Sequence, residues 1–144
     1  EISNFSKQGF RSKHNSSYWE GIPYLGFGPS AHSYIHPTRS WNVSNNNAYI
    51  KALANDESFS TVEILSQIDI FNEYIMLQLR RIEGLDLNYI AINFPDFLST
   101  VETAIQKHVQ LKNIYQTEDR FSLTRQGKTI ADAVSADLFA INKL

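Results

Sequence analysis

Between Ser60 and Ile82 apolar residues recur at helical intervals, at Ile68, Phe71, Ile75, Leu79 and Ile82. They follow a Ser60-Thr61-Val62-Glu63 run with the spacing of a capping box, so the pattern predicts one long helix. Arg80 and Arg81 fall in its expected last turn, where cations suit the negative end of the helix dipole, and Gly84 follows where a left-handed cap belongs. A second helix is expected after Pro95-Asp96, with Leu98, Val101, Ile105 and Val109 on one face. Ile114-Tyr115-Gln116 and Arg120-Phe121-Ser122-Leu123 alternate on either side of the polar Thr117-Glu118-Asp119 and read as a β-hairpin. Thr124 is placed to cap a final helix, whose apolar positions are Ile130, Val134, Leu138 and Ile141.

Helix, hairpin, helix is the plan of a winged-helix module. The N-terminal part follows another rhythm. Tyr24-Leu25-Gly26-Phe27-Gly28 reads as a short buried strand running into a glycine turn, followed by Pro29, Ser30 and Ala31. The asparagine-rich Asn42 to Asn47 reads as a linker and N-cap region for a short helix around Ala48 to Asn55. The fold class expected is α+β, mainly helical, with a division near residue 45. Composition changes at the same place. The first 42 residues hold both Trp, three of the four His, and four basic against two acidic side chains; the other 102 hold nine basic and thirteen acidic ones.

At 144 residues and 16.5 kDa the chain has material for one good domain core, or a domain plus a remnant. A hydrophobic content of 42% argues against disorder, and a formal charge of -2 provides no cationic excess for nucleic acid. The chain contains no cysteine, which excludes disulfides, thiolate catalysis and thiolate-ligated clusters within these residues. No apolar run has the length of a transmembrane segment and no signal-peptide plan is present, so a cytoplasmic address is the expectation. The sequence opens on Glu1 and its only methionine is Met76, so a piece of something longer is expected.

The densest cluster of chemically active side chains is His14-Asn15-Ser16-Ser17-Tyr18-Trp19. An imidazole ligates iron and flat aromatic rings line a slot for a macrocycle, so haem or porphyrin binding is one reading. In the other, Tyr18 and Trp19 anchor a core while His14 bonds a loop carbonyl. His32 and His36 have one-face helical spacing, which Pro37 disfavours. Gly26 and Gly28, with Ser30 and Ala31, read either as a turn presenting N–H groups to an anion or as a tight structural turn. Arg11 and Lys13 are candidates for propionate groups. Scattered carboxylates offer no acid–base dyad, so no catalytic residue is expected. The final helix, with Arg125, Lys128 and Lys143 against Asp132 and Asp137, is poorly charged for DNA.

Glu1-Ile2-Ser3-Asn4-Phe5, Ser12-Lys13-His14-Asn15-Ser16-Ser17-Tyr18-Trp19 and Tyr24-Leu25-Gly26-Phe27-Gly28-Pro29-Ser30-Ala31-His32-Ser33 occur in an order that resembles the C-terminal part of the oxygen-independent coproporphyrinogen III oxidase-like radical S-adenosylmethionine proteins. The His-Asn-x-x-Tyr-Trp run is similar to the family's HemW, haem-chaperone branch. Looser matches run through Leu79 to Asp86 and Leu123 to Gly127. The resemblance implies that residues 1–45 are the end of a partial β/α barrel and residues 46–144 a helical, winged-helix-like C-terminal domain. It implies haem contacts from His14, Asn15, Tyr18 and Trp19, with His14 the iron ligand, and a glycine loop of Gly26, Gly28 and Ala31 beside S-adenosylmethionine. His32 stands where the oxidase branch resembles an apolar residue. The family's Cys-x-x-x-Cys-x-x-Cys loop for a 4Fe-4S cluster has no counterpart here. The function implied is a haem chaperone that passes haem to acceptor proteins. The alternatives are a coproporphyrinogen oxidase and, more distantly, a winged-helix interaction module. The apolar edges of severed barrel strands also point to a homodimer.

Overall fold

Residues 1–141 are described by a computed structural model. In chain order they form α1 (Lys13–Trp19), β1 (His32–Ile35), β2 (Thr38–Asn42), α2 (Asn46–Ala54), β3 (Ser60–Ile64) and α3 (Gln67–Leu79). Then come β4 (Leu85–Asp86), α4 (Leu87–Asn93), a 3-10 turn at Pro95–Phe97, α5 (Leu98–Gln110), β5 (Ile114–Thr117), β6 (Arg120–Leu123), α6 (Arg125–Thr129) and α7 (Ala131–Leu138). The chain is α+β, as its sequence predicts. It divides into two compact units: Glu20–Ser66, and Glu1–Trp19 together with the chain from Gln67 onward.

In the smaller unit β1, β2 and β3 form an antiparallel sheet in that order, with Ser33 opposite Ser40 and Trp41 opposite Thr61. β3 corrects the helix expected from Ser60. Thr61, Val62 and Ile64 are β-branched, and the ladder to Thr38–Asn42 satisfies the backbone that the capping box was to start. A local capping signal thus loses to a five-residue strand pairing, and the helix begins only at Gln67. The segment from Tyr24 to Gly28 is also not a buried strand. Tyr24 makes a single bridge to Tyr34, and Leu25 and Phe27 are 63% and 88% exposed. The chain turns away because Gly28 adopts φ +96°. The helix expected near Ala48 is α2, and Asn45 caps it by accepting the Ala48 N–H at 2.9 Å.

The core of the larger unit joins Phe71, Ile75 and Leu79 of α3 to Val101 and Ile105 of α5 and to Val134 and Leu138 of α7. Below them lies an antiparallel sheet of order β4-β6-β5 that buries Leu85, Ile114, Phe121 and Leu123. α5 and the β5–β6 hairpin follow the predicted pattern, with Ile114 opposite Leu123. α3 stops at Leu79, so Arg80 and Arg81 follow the helix rather than occupy its last turn, and Ile82, 67% exposed, leaves the apolar face. Gly84 does take the left-handed conformation, at φ +71°. Thr124 caps as expected, accepting the Gly127 N–H at 3.0 Å and donating to the Lys112 carbonyl at 2.8 Å. The final helix, however, breaks at Ile130, whose φ of -127° is not helical, leaving α6 and α7. Gly127 lies so close to the Asn113 carbonyl that a Cβ there would come within 2.0 Å of the oxygen. Ile141 lies beyond α7 and is exposed; Lys143 lies outside the described residues.

Candidate functional site

α1 begins where Ser12 Oγ accepts the Asn15 N–H at 3.2 Å and the Ser12 carbonyl accepts the Ser16 N–H at 2.9 Å. One turn apart, His14 and Tyr18 share a helix face. The Tyr18 hydroxyl lies 3.3 Å from His14 Nε2, and the two rings meet edge to face at 5.1 Å. His14 is exposed, and its Nδ1 has no hydrogen-bond partner among the described residues. No residue of α1 is buried, so Tyr18 and Trp19 are not core anchors, and the His14 ring pairs with Tyr18 rather than with a loop carbonyl.

Asn15, Ser16 and Trp19 present a different face, and this face lines a cleft of about 490 Å3 within the larger unit. The motif is thus split: His14 and Tyr18 lie outside the cleft lining, while Asn15 and Trp19 belong to it. The helix is held at its end, where the Trp19 carbonyl accepts from Gln78 Nε2 at 3.4 Å and Arg81 Nη1 at 3.5 Å. Phe5, Phe10, Trp19 and Ile82 supply apolar wall, and Arg11, Arg80, Arg81 and Lys128 supply positive charge.

Most of that charge is paired. Glu83 binds Arg11 and, at 3.3 Å, Arg81 Nε; Arg80 binds Asp132. Burial pushes the Glu83 carboxyl up, but the Arg11 hydrogen bond and the charges of Arg81 and Arg11 outweigh it, and the pKa falls below the ordinary 4.5. Lys128 has no acidic partner among the described residues, and Arg80 Nε is buried without a hydrogen-bond partner. Of the two propionate candidates, Arg11 lines the cleft, whereas Lys13 is exposed and does not. Sequence reasoning assigned Arg80 and Arg81 to a helix end and Lys128 to a weak DNA surface. Only the folding of distant segments onto one another shows them to be neighbours.

In the smaller unit the glycine turn is internally bonded. The Gly26 N–H donates to Ser33 Oγ at 3.0 Å, the Gly28 N–H to the Tyr49 hydroxyl at 3.3 Å, and the Ala31 N–H to the Gly28 carbonyl at 3.3 Å. A Cβ on Gly26 would sit 2.2 Å from the His32 carbonyl oxygen, so glycine is needed there for the chain's own packing. At Gly28 the corresponding space is open. His32 lies on strand β1 near Trp41, with ring centroids 6.3 Å apart, and His36 Nδ1 lies 3.4 Å from the Tyr34 hydroxyl. Among the described residues no group of three or more His, Asp or Glu is gathered as a metal site.

No protein-family model matches the chain. It is 36% identical over 138 residues to "Heme chaperone HemW" of Bacillus subtilis, covering 93% of this chain and 36% of the relative. "Heme chaperone HemW" of Mycobacterium tuberculosis is 33% identical over 136 residues, covering 93% and 33%. Among solved structures, the radical SAM enzyme coproporphyrinogen III oxidase (HemN) of Escherichia coli superposes with a TM-score of 0.64 at 15% identity, covering 90% of this chain and 34% of that one. At that identity the likeness is one of fold. The chain spans about a third of the length of the curated relatives it matches. Among the described residues no helix is long and apolar enough to cross a membrane.

Proposed function

The chain is homologous to the HemW branch of the radical S-adenosylmethionine proteins of porphyrin metabolism, and from that premise we propose that it is the part of a haem chaperone that receives haem and presents it to acceptor proteins. The observation that carries this reading is the His14-Asn15-x-x-Tyr18-Trp19 run, set on an exposed helix of a chain related to haem chaperones over 93% of its length. His14 is the iron ligand in this proposal. Its exposed ring and unpartnered Nδ1 support that role, and Tyr18, bonded to Nε2, orients the ring. Asn15 and Trp19 contact the macrocycle.

Residues 1–45 are read as the end of a partial β/α barrel and residues 46–144 as a winged-helix-like domain. The helix–hairpin–helix order of α5, β5, β6, α6 and α7 supports the second assignment. With no cysteine, the chain's own residues do not fit a thiolate-ligated iron–sulfur cluster. S-adenosylmethionine is assigned to the surface of the Gly26, Gly28 and Ala31 turn. The open space beside Gly28 supports this; its N–H groups are already engaged, so they are not the contact.

Titration of the chain with ferric haem tests the proposal. The wild-type chain should shift and sharpen the Soret band, and His14→Ala should lose that change. Identical spectra and affinities would remove His14 as ligand.

A further inference from the structure

The cleft beside α1 allows a step that rests on the tetrapyrrole reading. We propose that it seats the acid edge of a propionate-bearing macrocycle, with Lys128 as the carboxylate contact and Phe5, Phe10 and Trp19 as the apolar bed, whether or not the macrocycle carries a metal. Three observations carry this. The cleft, about 490 Å3, is within the range of small-molecule pockets, and aromatic rings and cations share its lining. Arg11, Arg80 and Arg81 are already held by Glu83 or Asp132, while Lys128 forms no ion pair among the described residues, although Glu1 and Glu83 also line the cleft. An incoming carboxylate would thus complete a pair that the protein leaves open, and Arg80, also in the lining, keeps a buried Nε without a hydrogen-bond partner.

The split of the motif gives the proposal its distinguishing feature. His14 is not part of the cleft lining, whereas Asn15 and Trp19 are, so the grip on the acid groups is separable from ligation of iron. A macrocycle that lacks iron should keep the first contact and lose only the second.

The test is a fluorescence titration of the full chain with metal-free protoporphyrin and with its dimethyl ester. The diacid should bind at least about tenfold more tightly than the ester, and its affinity should fall as salt is raised. Lys128→Glu should weaken the diacid by about tenfold or more and leave the ester unchanged. Lys128→Gln serves as the second variant, and circular dichroism confirms that each variant is folded. Equal affinity for diacid and ester, or folded Lys128 variants that bind the diacid like wild type, would overturn the cleft assignment. A parallel titration with ferric haem separates the two readings. A His14-dependent Soret change without any distinction between acid and ester leaves the haem proposal standing and removes this one, whereas no binding of any tetrapyrrole removes both.

Discussion

Gly84→Ala tests whether the turn carrying Arg80, Arg81 and Glu83 is fixed by its contact with β6. The glycine sits at φ +71°, and its N–H donates to the Arg81 carbonyl at 3.3 Å. A Cβ there would lie 2.3 Å from Ser122 Oγ and 2.5 Å from the Phe121 carbonyl oxygen. The hydroxyl can rotate away; the backbone carbonyl, paired within the sheet, cannot. An L residue in left-handed geometry costs about 1–2 kcal/mol, and forcing backbone and sheet apart adds about 1–3 kcal/mol. The sum is a loss of about 2–5 kcal/mol in urea unfolding followed by circular dichroism. Gly9→Ala is the control, because Gly9 is also left-handed at φ +82° but has nothing within 4 Å of the added carbon. It should lose only the conformational part, about 1–2 kcal/mol. If the two substitutions cost the same, steric locking of the turn against β6 is refuted.

Thr124→Ala removes both the cap on Gly127 and the bond to the Lys112 carbonyl, and should lower stability by about 0.5–2 kcal/mol in the same assay. Glu83 has a folded pKa below its ordinary 4.5, so its contribution is complete above that pH and is lost as pH falls through the lower folded value; Glu83→Gln should flatten the acid limb of a stability–pH curve, and an unchanged limb would refute the pairing. Tyr74, whose phenol burial pushes from the ordinary 10 up to about 12, should give a late ionisation step in ultraviolet titration, and Tyr74→Phe should delete that step. Because that folded pKa is raised, the associated stability is present below pH 10 and is lost as pH rises toward 12.

Where local spacing decides the structure, the sequence was readable. α5, the β5–β6 hairpin and the Thr124 cap on Gly127 are all set by residues within a few positions of one another. The strand Ser60–Ile64 is not legible locally because its partner strand lies some twenty residues earlier, and a ladder that distant leaves no trace in the local period. The close packing of Gly127 on Asn113, reached across the β5–β6 hairpin, likewise has no local signal. At the site, the spacing of His14 and Tyr18 suffices to put them on one face once α1 is known to be a helix. The cleft was not readable, since it needs residues 5–19, 80–83 and 128 together.

The helix bearing the motif has seven residues and buries none of them. An isolated helix of that length does not persist in water, so α1 relies on its attachments: the Ser12 cap, the half-buried Asn15, Ser16 and Trp19, and the bonds that Gln78 and Arg81 make to its terminal carbonyl. Its amide protons should therefore exchange with solvent by local fraying, well before those of α3 or α5. If α1 carries the iron ligand as proposed, so loosely tethered an element would release haem without disturbing the hydrophobic interior behind it.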